Sequence, residues 1–240
     1  MSGLRLENIR KSFGMIDVLC GISAAFEEGK VTAIVGDNGA GKSTLLKTIS
    51  GIHEPDAGEI SLHDKKLTGL PVADYRAHGI EMVYQDLALA KQQDTVANLF
   101  MGREQCGRFS GILHHKRMAA QARQEMDALG IRIADLSTPI GQLSGGQQQS
   151  IAIARAALFD PKVLLLDEPT AALAAREVEH VLELIRKQRA LGRLIILVSH
   201  RLNDVFAVAD RIIVMKQGRL IADEAAKTTS LSRVVEQIVS

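Results

Sequence analysis

The stretch Val31-Thr32-Ala33-Ile34-Val35-Gly36-Asp37-Asn38-Gly39-Ala40-Gly41-Lys42-Ser43-Thr44 decides how this chain is read. Its first five residues form a short apolar, β-branched run, which suits a fully buried strand. Gly36 to Thr44 then fits G-x-x-x-x-G-K-[ST], and Lys42 to Ser50 reads as a helix with Gly51 as its stop. Strand, glycine-rich loop and helix in that order make a phosphate-binding loop. Glycines let the backbone from Gly36 through Asp37, Asn38, Gly39, Ala40 and Gly41 curl so that successive N–H groups face phosphate oxygens. The helix N-terminus adds the positive end of its dipole. Lys42 then reaches the β- and γ-phosphates, and the Ser43 hydroxyl binds Mg²⁺ beside Thr44. The competing reading is a glycine-rich turn with a solvated lysine.

A second motif supports the first. Val163-Leu164-Leu165-Leu166-Asp167-Glu168 is an apolar strand ending in two acids. Ligands of α/β sheets bind at the carboxyl ends of the strands, which puts these acids near the phosphate loop. Asp167 is expected to hold Mg²⁺ through water, and Glu168 to orient and polarise the attacking water. Without the phosphate loop, the pair would read as a solvated strand end.

Composition sets the frame. The chain has 240 residues, which suits one large α/β domain or two small ones. Its 29 Lys and Arg against 28 Asp and Glu leave a net charge of +1, so no basic field calls for nucleic acid and no acidic tail for disorder. Cys20 and Cys106 lie far apart without metal-ligand spacing and read as reduced, buried thiols. Met1 to Ser12 has no apolar core of a signal peptide. The longest apolar runs are far short of the roughly 20 residues of a membrane span, so a membrane role must work through a partner.

Strands are expected at Leu4 to Ile9, Val18 to Phe26, Val31 to Val35, Lys162 to Leu166 and Leu194 to Val198, with a hairpin from Arg211 to Ala222. Helices are expected at Thr95 to Met101, His115 to Leu129 (closed by Gly130), Gln147 to Leu158 and Arg176 to Leu191. The last shows Val178, Val181, Leu182 and Ile185 on one face and Glu183 with Lys187 as an i,i+4 pair. The alternation predicts an α/β fold with a mainly parallel sheet. The stretch 87–159 has no strong strand and reads as a helical subdomain inserted between core segments 1–86 and 160–240, all in one domain.

Leu143-Ser144-Gly145-Gly146-Gln147 opens a helix about twenty residues before Asp167. Together with the phosphate loop and the acidic strand it resembles the ATP-binding cassette (ABC) family, from Phe13 to about Asp223. The resemblance implies an ABC ATPase fold with an N-terminal antiparallel β subdomain and an ATP-dependent homodimer. Ser144, Gly145, Gly146 and Gln147 would bind the γ-phosphate of ATP held by the other copy. Gln85, in Val83-Tyr84-Gln85-Asp86, matches the glutamine that touches Mg²⁺ and water and senses the membrane partner. His200 matches the histidine that contacts the γ-phosphate, and Phe13 the aromatic that stacks on adenine, with core packing its alternative. One position departs from the family: after Pro169-Thr170 stands Ala171-Ala172-Leu173-Ala174, without the usual aspartate that serves communication across the dimer.

Met82 to Leu89 and Thr95 to Glu104 resemble bacterial monosaccharide importers, and the one cassette read here is similar to their single-cassette branch. Membrane permease subunits and a substrate-binding protein are the implied partners, with the chain on the cytoplasmic face of the membrane. Phe100, Met101 and Gly102 to His114 are candidate permease contacts, with packing inside the helical subdomain the alternative for Phe100. A soluble ABC motor in DNA repair or translation, an importer of a non-sugar solute and a P-loop kinase are the rival readings; a kinase would not need Leu143 to Gln147.

Overall fold

The computed structural model describes residues 3–107 and 111–239. The chain opens with the antiparallel pair β1 (Gly3–Phe13) and β2 (Ile16–Glu27), followed by β3 (Val31–Val35) and α1 (Lys42–Ile49). Next come β4 (Ala57–Leu62), β5 (Lys65–Lys66), α2 (Val72–Ala77) and β6 (Ile80–Val83). Helices α3 (Thr95–Phe100), α4 (His115–Leu129) and α5 (Gly145–Ala157) separate β6 from β7 (Val163–Asp167). After α6 (Ala175–Ala190) run β8 (Leu194–Val198), α7 (Leu202–Val208), β9 (Arg211–Lys216), β10 (Arg219–Ala225) and α8 (Leu231–Val239).

Six strands form a sheet in the order β10-β9-β3-β8-β7-β6, and every pairing except β9 with β10 is parallel. Each residue of β3, β7 and β8 is buried, as strands covered on both faces require. The register fixes the chemistry. Ile34 of β3 and Asp167 of β7 both pair with Val198 of β8, and Val83 of β6 pairs with Leu166. The loops carrying Gly36, Gln85, Glu168 and His200 therefore leave the sheet along one edge.

The second sheet is antiparallel, ordered β2-β1-β4-β5. Leu4 and Leu6 point into the core while Arg5 and Glu7 point out. Asn8 breaks that alternation: its φ is 48°, and the register shifts between Leu6 and Ile9. This bulge lets Ile9 return to the core and lets the strand run to Phe13, beyond the expected end at Ile9. Leu45, Leu46 and Ile49 of α1 pack between the two sheets with Phe26, Ile60 and Leu165.

A separate core joins α3, α4 and α5 through Phe100, Met118, Met126 and Ile151 to the buried face of α6. Phe100 is fully buried there, with its ring edge-on to Phe159, so it is a core residue and not a partner contact; Met101 is exposed. The expected Gly102 to His114 contact stretch lies partly outside the described residues. Lys187 also departs from expectation: its Nζ donates to the carbonyl of Leu129 at the C-terminus of α4 rather than pairing with Glu183. Cys106 is exposed and Cys20 half-buried, both free, so the buried pair of thiols is not found. Among the described residues no helix is long and apolar enough to cross a membrane.

Candidate active site

Four loops converge at the carboxyl edge of the parallel sheet. The cleft between them is lined by Gly36, Asp37, Asn38, Gly39, Gly41, Lys42, Ser43 and Thr44, with Gln85, Glu168 and His200 opposite. Gly36 has φ 149°, and a Cβ there would fall 2.0 Å from the carbonyl oxygen of Met215, so glycine is required. Ala40 is buried under the loop and does not line the cleft; its N–H closes a turn to the Asp37 carbonyl at 3.2 Å.

Lys42 lies beneath the loop, where Nζ donates to the carbonyls of Gly36 at 2.7 Å and Asp37 at 2.8 Å. Burial lowers its pKa, and Glu168, Asp167 and Asp37 oppose that shift by favouring the ammonium form. Ser43 Oγ donates to Asp167 Oδ1 at 2.9 Å. Burial raises the pKa of Asp167, and the bond from Ser43 works against that. Glu168 has φ 53°, a left-handed conformation that is strained for a side chain of its size, and its N–H is tied to the Val198 carbonyl at 2.9 Å. That strand-end kink turns its carboxylate into the cleft, where Oε2 lies 2.7 Å from His200 Nδ1.

A smaller cleft joins Ser43 and Asp167 to Gln85, Tyr84, Asp86 and Lys47. No cluster of three His, Cys, Asp or Glu side chains among the described residues is placed to hold a metal. A hydroxyl, a carboxylate and an amide oxygen are instead gathered there, the sparse set of hard donors that suits Mg²⁺ completed by phosphate and water. The residues present fit that ion.

The Ser144 turn lies elsewhere. Ser144, Gly146 and Gln147 line a different cleft, together with Arg132, Arg176, Glu177 and His180. Ser144 caps α5: its Oγ accepts from the Gln147 N–H at 3.2 Å, and Gln147 Oε1 accepts from the Ser144 N–H at 3.0 Å. This capping box starts the helix at Gly145, two residues before the expected start. Phe13 also stands outside the phosphate-loop cleft. Its ring is 44% exposed, edge-on to His53 at 5.2 Å, with Lys11 Nζ 5.6 Å from its centre, so it is not a core residue.

The ABC transporter family model matches residues 19–171. This span runs from β2 across the phosphate loop and the Ser144 turn to the loop after Glu168. The chain belongs to the ABC transporter family. It is an ATP-hydrolysing cassette. It is 40% identical over 99% of its length to the xylose/arabinose import ATP-binding protein of Sulfolobus acidocaldarius, spanning 94% of that protein. It is also 40% identical over 98% of its length to a ribose import ATP-binding protein of Chromobacterium violaceum, but spans 46% of it. The cassette thus covers about half the length of the ribose import relatives. A nucleotide-free ATP-binding cassette of known structure is 29% identical and superposes with a TM-score of 0.86 over both whole chains. A dimeric post-hydrolysis cassette bound to ADP and Pi is 26% identical, with a TM-score of 0.82 over 94% of this chain and all of the other.

Two groups at the site escaped sequence reasoning. Arg155 donates to the carbonyls of Ala88 at 2.6 Å and Leu87 at 2.8 Å, both residues at positive φ, and so pins the loop that carries Gln85. Glu177 reaches back to the Ser144 turn. Its only sequence signal is its place three residues after Ala174, the third position of α6, where a glutamate often serves the helix start.

Proposed function

We propose that this cassette binds MgATP between two copies of itself and uses its hydrolysis to drive monosaccharide uptake through a separate membrane permease. The observation that carries the two-copy reading is the separation of the phosphate loop and the Ser144 turn into different clefts of one chain. The dimeric cassette of similar fold, bound to ADP and Pi, supports it. The import names of the relatives support sugar as the cargo. A substrate-binding protein and the permease would select the sugar, with the cassette peripheral to the membrane and no nucleic acid involved.

In this reading Lys42 leaves the carbonyls of Gly36 and Asp37 for the β- and γ-phosphate oxygens. Ser43, Asp167 and Gln85 would hold Mg²⁺, which neutralises charge on the phosphates when bound. Glu168 accepts the proton of the attacking water, and His200, against Glu168 Oε2, steadies that carboxylate and faces the γ-phosphate. Phe13 offers its exposed ring to adenine. Asp37, Asn38, Gly39, Gly41 and Thr44 line the phosphate side, and Ser144, Gly145, Gly146 and Gln147 of the other copy close it.

The test is reconstitution of the cassette with its permease in nanodiscs and a screen of sugars with the matching binding protein. Stimulation of ATPase by a pentose or related monosaccharide is the expected result. Stimulation by an amino acid alone overturns the sugar reading and leaves the ATPase standing.

A further inference from the structure

We propose that Glu177 occupies the phosphate donors of the Ser144 turn in the unpaired cassette and must yield them before a partner's nucleotide can bind. The proposal rests on the reading that this turn closes on nucleotide held by a second copy.

The capping box uses one Ser144 Oγ lone pair and the Ser144 N–H internally. Two further donors of the turn, the Ser144 hydroxyl and the Gly146 N–H, serve an anion. Both point at a single oxygen, Glu177 Oε1, from 3.2 and 3.1 Å. The other oxygen, Oε2, accepts from the Ala174 N–H at 3.2 Å. One carboxylate therefore bridges the N-termini of α5 and α6. A hydroxyl and an N–H converging on one anionic oxygen is the arrangement a phosphate oxygen would take at this helix start.

Local chemistry explains how Glu177 came to that position. Ala174 has no side-chain acceptor, so the start of α6 is served from Glu177 instead. That duty takes one carboxylate oxygen and leaves the other to reach α5. The approach is close: a Cβ on Gly146 would lie 2.6 Å from Oε1. Two anions cannot share these donors, because like charges at such distances repel strongly in a partly enclosed site. An incoming phosphate oxygen must displace the carboxylate. Arg132 and Arg176 line the same cleft and offer cationic positions for it to move to.

The consequence is a defined penalty on ATP-driven pairing that resides in one side chain. The experiment follows ATP-dependent dimerisation by light scattering in a Glu168→Gln parent, then adds Glu177→Gln, Glu177→Ala or Glu177→Asp. Glu177→Gln keeps the shape without the charge, and Glu177→Asp keeps the charge but is one methylene too short to reach the turn. All three should lower the ATP concentration for half-dimerisation about tenfold, the factor carried by one charge-assisted hydrogen bond. ATP affinity of the monomer, measured by titration at protein concentrations too low to dimerise, should stay unchanged. Dimerisation that is unchanged or weaker in a Glu177→Gln variant with a parental thermal midpoint overturns the proposal. A Glu168→Gln parent that stays monomeric in saturating ATP overturns the two-copy reading, and this proposal with it.

Discussion

Ser43 Oγ and Asp167 Oδ1 meet at 2.9 Å although 124 positions separate them along the chain. Two buried strand ends bring them together: β3 delivers the phosphate loop and β7 delivers the acid, with β8 between them. The oxygen site is thus a product of sheet register. Slipping β7 by one residue would turn Asp167 to the other face.

Lys42→Ala should weaken ATP binding by at least about tenfold, since each hydrogen bond from a charged donor is worth roughly 1.5–3 kcal/mol. Isothermal titration with ATP checks it. Unchanged affinity would remove Lys42 from the phosphate site.

Glu168→Gln should bind ATP and hydrolyse it about 10²–10⁴-fold more slowly, the usual cost of losing a general base. The variant should accumulate as an ATP-bound dimer on size-exclusion chromatography. Near-parental turnover would assign proton acceptance to another group.

Arg155→Met should free the loop after Gln85. Leu87 and Ala88 both sit at positive φ, and the two bonds from the Arg155 guanidinium to their carbonyls hold that geometry. Loss of these part-exposed bonds should cost about 1–3 kcal/mol, or roughly 2–10 °C in melting temperature. Hydrogen exchange should rise at 86–90 and stay unchanged in β7. Unchanged exchange in that loop would contradict the role given to Arg155.

Phe100→Ala should cost about 3–5 kcal/mol of stability, because it empties a fully buried ring from the core around α3, α4 and α5. Met101→Ala, on an exposed side chain, should cost less than about 1 kcal/mol. Denaturant unfolding of both variants separates the two residues, both candidate partner contacts by sequence, with core packing the alternative for Phe100.

Much of this was legible because the relevant signals are local. Val31 to Val35, Val163 to Asp167 and Leu194 to Val198 are short apolar runs with clear ends, and the structure places strands on all three. Gly51 and Gly130 ended α1 and α4 as read, both at positive φ. Elements that went unread are short or carry mixed patterns. β6 is four residues with Glu81 among them, and α2 is six residues behind Pro71. α8 does carry a helical pattern, Val234 and Ile238 facing inward, but lies beyond the span that the motifs organise. The Ser144 to Glu177 contact spans 33 positions and depends on how α5 and α6 pack, which no spacing rule reports.

One copy's phosphate loop and the other copy's Ser144 turn should make a single ATP site. Mixing the inactive variants Lys42→Ala and Ser144→Arg tests it directly. Their heterodimer gathers both lesions in one composite site and leaves the second intact, so the mixture should recover ATPase activity that neither variant shows alone. No activity at any mixing ratio would contradict the account, as would full activity of Ser144→Arg on its own.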